Sequence, residues 1–204
     1  MKQYIERSMS FGEYAALIDR LVEEGGTTGP KQSEALANFT RLNRQRMIRL
    51  EKSIALGDDV RTAVQNNTRH QTWLIITEAW CGDAAQNIPI IEKIAAESGI
   101  IETRYILRDE NPELMDRFLT YGARSIPKLI ALDADTLDVL GTWGARPKTA
   151  QDLFFSLREA GIEKADIIEE VQRWYNEDKG RTIQNEFVEL LKSWSGRKTA
   201  EAGA

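Results

Sequence analysis

The stretch TEAWCGDAAQNIP, from Thr77 to Pro89, contains the residue best suited to nucleophilic chemistry, Cys81. Cys81 is the only cysteine in 204 residues, so it cannot form an intramolecular disulfide. It lies between Trp80 and Gly82, after a run of β-forming residues and at the start of a stretch of helical composition. At a strand-to-helix junction the free N–H groups and aligned peptide dipoles favour negative charge, and the thiolate is the form that attacks disulfides. Asp83, in the same first turn, suits a helix N-terminus but opposes a neighbouring thiolate, and it reads first as a capping charge.

Other residue types with chemical potential lack partners. His70 is the only histidine and reads as a surface or strand-start residue, without the companions that a metal site or a triad needs. Arg41, Arg44, Arg46 and Arg49 form a basic helix face. Neighbouring acids and a net charge of -5 make it a solvated face rather than an RNA or phosphate surface. No metal ligand set is expected, and Trp143, Trp174 and Trp194 read as packing residues.

The elements that position Cys81 follow from periodicity. Ser10 with Glu13 makes a capping-box pattern ahead of YAALIDRLVEEGG, a first helix closed at Gly25 and Gly26. A longer second helix carries Leu36, Phe39, Met47, Leu50 and Ile54 on one stripe and ends near Gly57, and a short helical piece follows in DDVRTAVQN. Residues 1–69 therefore read as an N-terminal helical extension. From Trp73 to about Ala160 the order is β, α, β, α, β, β, α, with IPKLIAL and TLDVLGTW as an antiparallel hairpin, so residues 70–160 form an α/β sheet domain. In a C-terminal helical extension, 161–196, Ile168, Val171 and Tyr175 share one stripe and Ile183, Phe187, Leu190 and Trp194 another. The tail 197–204 has nothing to bury and is expected to be disordered.

Taken together, the WCG turn, Pro89 eight residues after Cys81, the Ile126–Pro127 pair ahead of a strand, GTWGARP, and the element order resemble the thioredoxin family over about residues 70–160. The resemblance implies a thioredoxin-like α/β fold, a central mixed sheet flanked by helices, with helical extensions at both termini. It also implies a cis Pro127 facing Cys81. Ser125, Ile126 and Pro127 would then be the edge that pairs with an incoming peptide strand, with Trp80, Gly82 and Gly144 lining the same groove.

The chain departs from that pattern in a consistent way. Ala84 stands where a resolving cysteine is expected, Ile75 where the family has a buried acid, and Tyr105 where it has a lysine. Cys81 alone could form a mixed disulfide with a protein or small-molecule disulfide, and release would need an external thiol such as glutathione. The expected activity is monothiol thiol–disulfide exchange through Cys81 with no bound cofactor. The alternative is a redox-inactive peptide- or protein-binding module in which Cys81 is a small residue at a turn. With no signal-peptide run and no long apolar stretch, the reading is a cytoplasmic protein without a membrane or nucleic-acid partner, and of undetermined oligomeric state.

Overall fold

Seven consecutive residues of Gln71–Thr77 (β1) are buried, as a strand covered on both faces requires, and their β-branched and aromatic side chains suit that position. In the computed structural model, which describes residues 1–195, β1 pairs in parallel with Ile101–Leu107 (β2) through the crossover helix Gly82–Ser98 (α5). On its other side β1 pairs antiparallel with Lys128–Asp133 (β3), which pairs antiparallel with Val139–Gly144 (β4). The resulting mixed sheet has the order β2-β1-β3-β4 and helices around it, the expected α/β architecture with helices added at both ends. The antiparallel register sets Ile76 beside Lys128 and Lys128 beside Gly144. The exit of β1, the entry of β3 and the end of β4 therefore meet at one end of the sheet, and the chain around Cys81 meets the chain around Pro127 there.

Lys2–Glu6 (α1) precedes Phe11–Glu24 (α2), whose capping box is complete: Ser10 N–H donates to Glu13 Oε2 (2.7 Å) and Glu13 N–H to Ser10 Oγ (3.3 Å). Gly25, at φ 69°, closes α2 in the left-handed conformation that glycine adopts without steric cost. In Glu34–Ser53 (α3) the inward stripe keeps Met47, with Ile54 buried just beyond it, but departs from the expected one at Phe39. Thr40, Asn43 and Met47 are buried, while Phe39 is 44% exposed. Hydrogen bonds decide the rotation: Thr40 Oγ1 meets Thr27 Oγ1 (2.6 Å), and Asn43 Nδ2 donates to the Ala79 carbonyl (3.0 Å), tying α3 to the loop before Cys81.

Asp58–Gln65 (α4) matches the short helix expected there. NPELMDRFLTY is helical only over Pro112–Asp116 (α6), because Thr120 and Ala123 exchange backbone hydrogen bonds around a tight turn with Tyr121 and Gly122 at positive φ. After Lys148–Glu159 (α7) comes Lys164–Asp178 (α8), which buries Ile167, Val171 and Tyr175 and leaves Ile168 exposed, contrary to the expected stripe. Arg181–Trp194 (α9) buries Ile183, Phe187, Leu191 and Trp194, so Leu191 takes the central place expected for Leu190. The tail 197–204 lies outside the described residues.

The main hydrophobic core draws on residues from Tyr4 to Trp194, and Ile167, Val171 and Tyr175 of α8 form a second, smaller cluster with α7. Phe187 of α9 packs against Trp73 of β1 (5.3 Å between ring centroids) and Trp143 of β4 (5.7 Å). The terminal helix thus covers one face of the sheet. Truncating a buried aromatic leaves a cavity, so Phe187→Ala is expected to cost about 3–5 kcal/mol in urea unfolding. A loss below about 1 kcal/mol would mean that α9 does not close the core.

Candidate functional site

Cys81 occupies the N-cap of α5, and the first turn of that helix fixes its thiol. Ala84 N–H donates to Sγ (3.4 Å), and Sγ–H donates to the Ile126 carbonyl (3.3 Å). The Ile126–Pro127 peptide is cis. Gly144 has φ 118°, and a Cβ built there would lie 2.2 Å from the Pro127 carbonyl oxygen, so only glycine lets β4 approach this loop. Cys81, Ile126, Pro127 and Gly144 are therefore brought together at one end of the sheet. Ser125 is half-buried beside them, whereas Ile126 and Pro127 are buried. Trp80 is half-buried, with the Arg108 guanidinium 4.8 Å from its ring centre. Gly82, also half-buried, faces Arg46 and Gln172.

The thiol does not have the character expected from its place at a helix N-terminus. Cys81 is 7% exposed, and burial, followed by the charge of Asp83, pushes its pKa from an ordinary 9.0 up to about 12. That rise corresponds to about 4 kcal/mol, against about 1 and at most about 2 kcal/mol for a favourable helix terminus. Desolvation wins, and it favours the protonated thiol.

Asp83 likewise differs from a solvent-facing cap. Its side chain is 13% exposed and pairs with Arg146 (2.7 Å), while Tyr175 Oη–H donates to Oδ1 (3.0 Å). Burial raises its pKa, and Arg146 and Tyr175 act in the opposite direction. Arg146 also lies 4.3 Å from the centre of the Phe154 ring. Sequence reasoning missed Arg146 and Tyr175 as site residues. GTWGARP marked the first of them without showing its contact, and nothing local marked the second, 92 positions from Asp83.

The positions that lack the family's buried charges are filled by packing. Ile75 is fully buried, and Tyr105 stacks on Tyr14 (5.1 Å, interplanar 2°) and donates to Glu92. A buried acid unmarked by the sequence reading sits nearer the cysteine: Glu78 is fully buried, accepts from Asp109 N–H (2.8 Å), and has its pKa raised by burial. His70 is exposed. Among the described residues no cluster of three or more His, Cys, Asp or Glu could hold a metal ion, and no helix is long and apolar enough to cross a membrane.

A thioredoxin family model matches residues 29–167, more than half of the chain. The chain belongs to the thioredoxin family. A protein of unknown function from Pseudomonas aeruginosa has a similar crystal structure, with 15% identity and TM-score 0.58 over 93% of this chain and 95% of that one. An HIV epitope-scaffold is similar at 18% identity and TM-score 0.55, over 90% of this chain and 98% of its own. At these identities the likeness is one of fold, and it extends over the terminal helices as well as the sheet. No curated protein matches the chain.

In this family member the state of the thiol can be tested by alkylation. At pH 8 a thiol with a pKa of about 12 has a thiolate fraction roughly a thousandfold below that of free cysteine. Iodoacetamide is therefore expected to modify native Cys81 far more slowly than the urea-unfolded chain, and a native rate equal to the unfolded one would refute the assignment. The same shift has a stability consequence with a definite sign. A thiol whose folded pKa is raised contributes stability that is complete below about pH 9 and is lost as pH rises towards about 12. Unfolding measured across that window is expected to show the native chain losing stability relative to Cys81→Ala, with the two curves parallel below it.

Proposed function

We propose that this protein is a thioredoxin-fold binding module, in which Cys81 is a structural thiol and Ser125, Ile126 and Pro127 present backbone to an extended peptide. The observation that carries the reading is the setting of the thiol: it is buried, its sulfur lies 3.3 Å from the Ile126 carbonyl oxygen, and burial pushes its pKa up. A nucleophile at this place needs the opposite, an exposed sulfur with a depressed pKa. The peptide edge has separate support, because neither Ser125 N–H nor Ile126 N–H donates to a backbone carbonyl among the described residues. Unpaired amides ahead of a strand are what an added strand would engage. Trp80, Gly82 and Gly144 border that edge in this reading, and the net charge of -5 favours a protein partner over nucleic acid.

Monothiol exchange is the second reading, favoured by the Ala84 N–H directed at Sγ. In it, the Cys81 thiolate attacks one sulfur of a disulfide, forming a mixed disulfide and expelling the other sulfur as a thiolate. An external thiol such as glutathione then attacks the mixed disulfide and restores Cys81. No bound cofactor enters either scheme.

Mass analysis after incubation with oxidised glutathione separates the two. No adduct on Cys81 is expected under conditions that modify an exposed thiol. A selective adduct, lost in Cys81→Ser, would overturn the binding-module reading. Ala84→Cys tests the turn itself, since thioredoxin-like geometry brings the two Cβ atoms to about 3.5–4.5 Å. A bridge to Cys81 is expected on mild oxidation, seen as a loss of two hydrogens, with weak disulfide reductase activity. Failure to bridge would mean that the turn is built differently.

A further inference from the structure

A trough of about 380 Å³ lies between α3 and α8, next to the start of α5 and lined by Leu42, Arg46, Arg49, Gln86, Gln172 and Asn176. The basic face of α3 divides here into two unlike parts. Arg44 is compensated, pairing with Asp19 (2.6 Å) and Glu51 (3.4 Å). Arg46 and Arg49 form no ion pair among the described residues. Arg46 donates only to Asn43 Oδ1 (3.0 Å), and burial and the charge of Arg49 both lower its pKa. A half-buried guanidinium with a like charge three residues away and no carboxylate is costly to keep.

The neighbouring amides supply further donors. Gln172 Oε1 accepts from Gln86 Nε2 (3.0 Å), which turns Gln172 Nε2 towards Gly82 and Arg46. The apolar surface continues along the same stripes. Leu42 (41% exposed) and Phe39 (44%) precede Arg46 by four and seven residues, and Ile168 (42%) precedes Gln172 by four. Large apolar side chains thus flank an uncompensated cationic pair in a protein of net charge -5.

We propose that the trough between α3 and α8 binds an acidic peptide segment of a protein partner, with carboxylates on Arg46 and Arg49 and apolar side chains against Leu42, Phe39 and Ile168. Guanidinium and carboxylate match as planar, two-pronged partners, and the amide of Gln172 adds a donor at the floor. A free phosphate would engage the arginines and leave the apolar flanks without a role. The site is distinct from the Ser125–Pro127 edge and is independent of the state of Cys81.

The test is fluorescence anisotropy of a fluorescein-labelled peptide alternating glutamate and leucine, titrated with the full chain. Binding is expected, weakening as salt rises and absent for the same peptide with glutamine in place of glutamate. Arg46→Gln with Arg49→Gln is expected to weaken it at least tenfold, Leu42→Ser about threefold, and Arg41→Gln, which bonds to Asn38 and does not line the trough, not at all. Arg49→Gln alone, at an exposed side chain, is expected to weaken it several-fold and guards against misfolding of the double variant, which circular dichroism also checks. The proposal is overturned if the native chain does not bind the peptide, or if the arginine variants bind it as the native chain does. It is also overturned if inorganic phosphate displaces the peptide while Leu42→Ser has no effect, which would make the trough a phosphate site.

Discussion

The pairing of β1 with β3 is the constraint on which the candidate site depends. Because the two strands run antiparallel, the residue that leaves β1 and the residue that enters β3 are spatial neighbours, although Cys81 and Ile126 are 45 positions apart. The pairing is held in place by burial on both faces of β1, where a slip of one residue would exchange every side chain between helix layers. The thiol-to-carbonyl contact and, with the β3–β4 pairing, the close approach of Gly144 to Pro127 follow from that register.

Burial then sets the chemistry. A thiol at a helix N-terminus is a nucleophile when water and positive charge reach it, and Cys81 is only 7% exposed, with the Ile126 carbonyl and the Ala84 N–H as its hydrogen-bond partners. Helices α3 and α8 crowd the start of α5, and Arg146, the cation whose charge acts on the thiol, is engaged by Asp83 instead of the sulfur. The helix dipole is still present, but it is smaller than the desolvation it opposes. The half-buried Asp83–Arg146 pair with Tyr175 locks the first turn of α5 to the chain after β4 and to α8, so the helices outside the sheet are part of the site's architecture. Breaking one member of such a pair leaves an uncompensated charge, which is why the three act together.

Several features were legible in the sequence because they depend on near neighbours. The capping box of Ser10 and Glu13, the glycine stop at Gly25, the strand character of residues 72–77 and the β3–β4 hairpin are all set within a few residues, and the structure has each of them. The order of elements, together with WCG and Ile126–Pro127, was enough to reach the thioredoxin fold. On α3 the expected stripe was met at Met47 and Ile54 but not at Phe39, because periodicity counts apolar residues, whereas the helix also turned inward the residues whose hydrogen bonds were needed, Thr40 and Asn43. On α8 the choice between Ile167 and Ile168 was one residue of rotation, which only the packing partner decides.

By itself the sequence determined the secondary elements, their order, and the presence of one cysteine at a strand-to-helix turn without a second thiol to resolve it. Only the tertiary structure decided the protonation of that cysteine, the partner of Asp83, and which arginines of α3 are compensated. The physical reason is range. Propensity, capping and periodicity act over one or two helical turns. The desolvation of Cys81, the reach of Arg146 across 63 positions to Asp83, and the isolation of Arg46 and Arg49 are properties of the space around a group, which exists only once distant segments have packed.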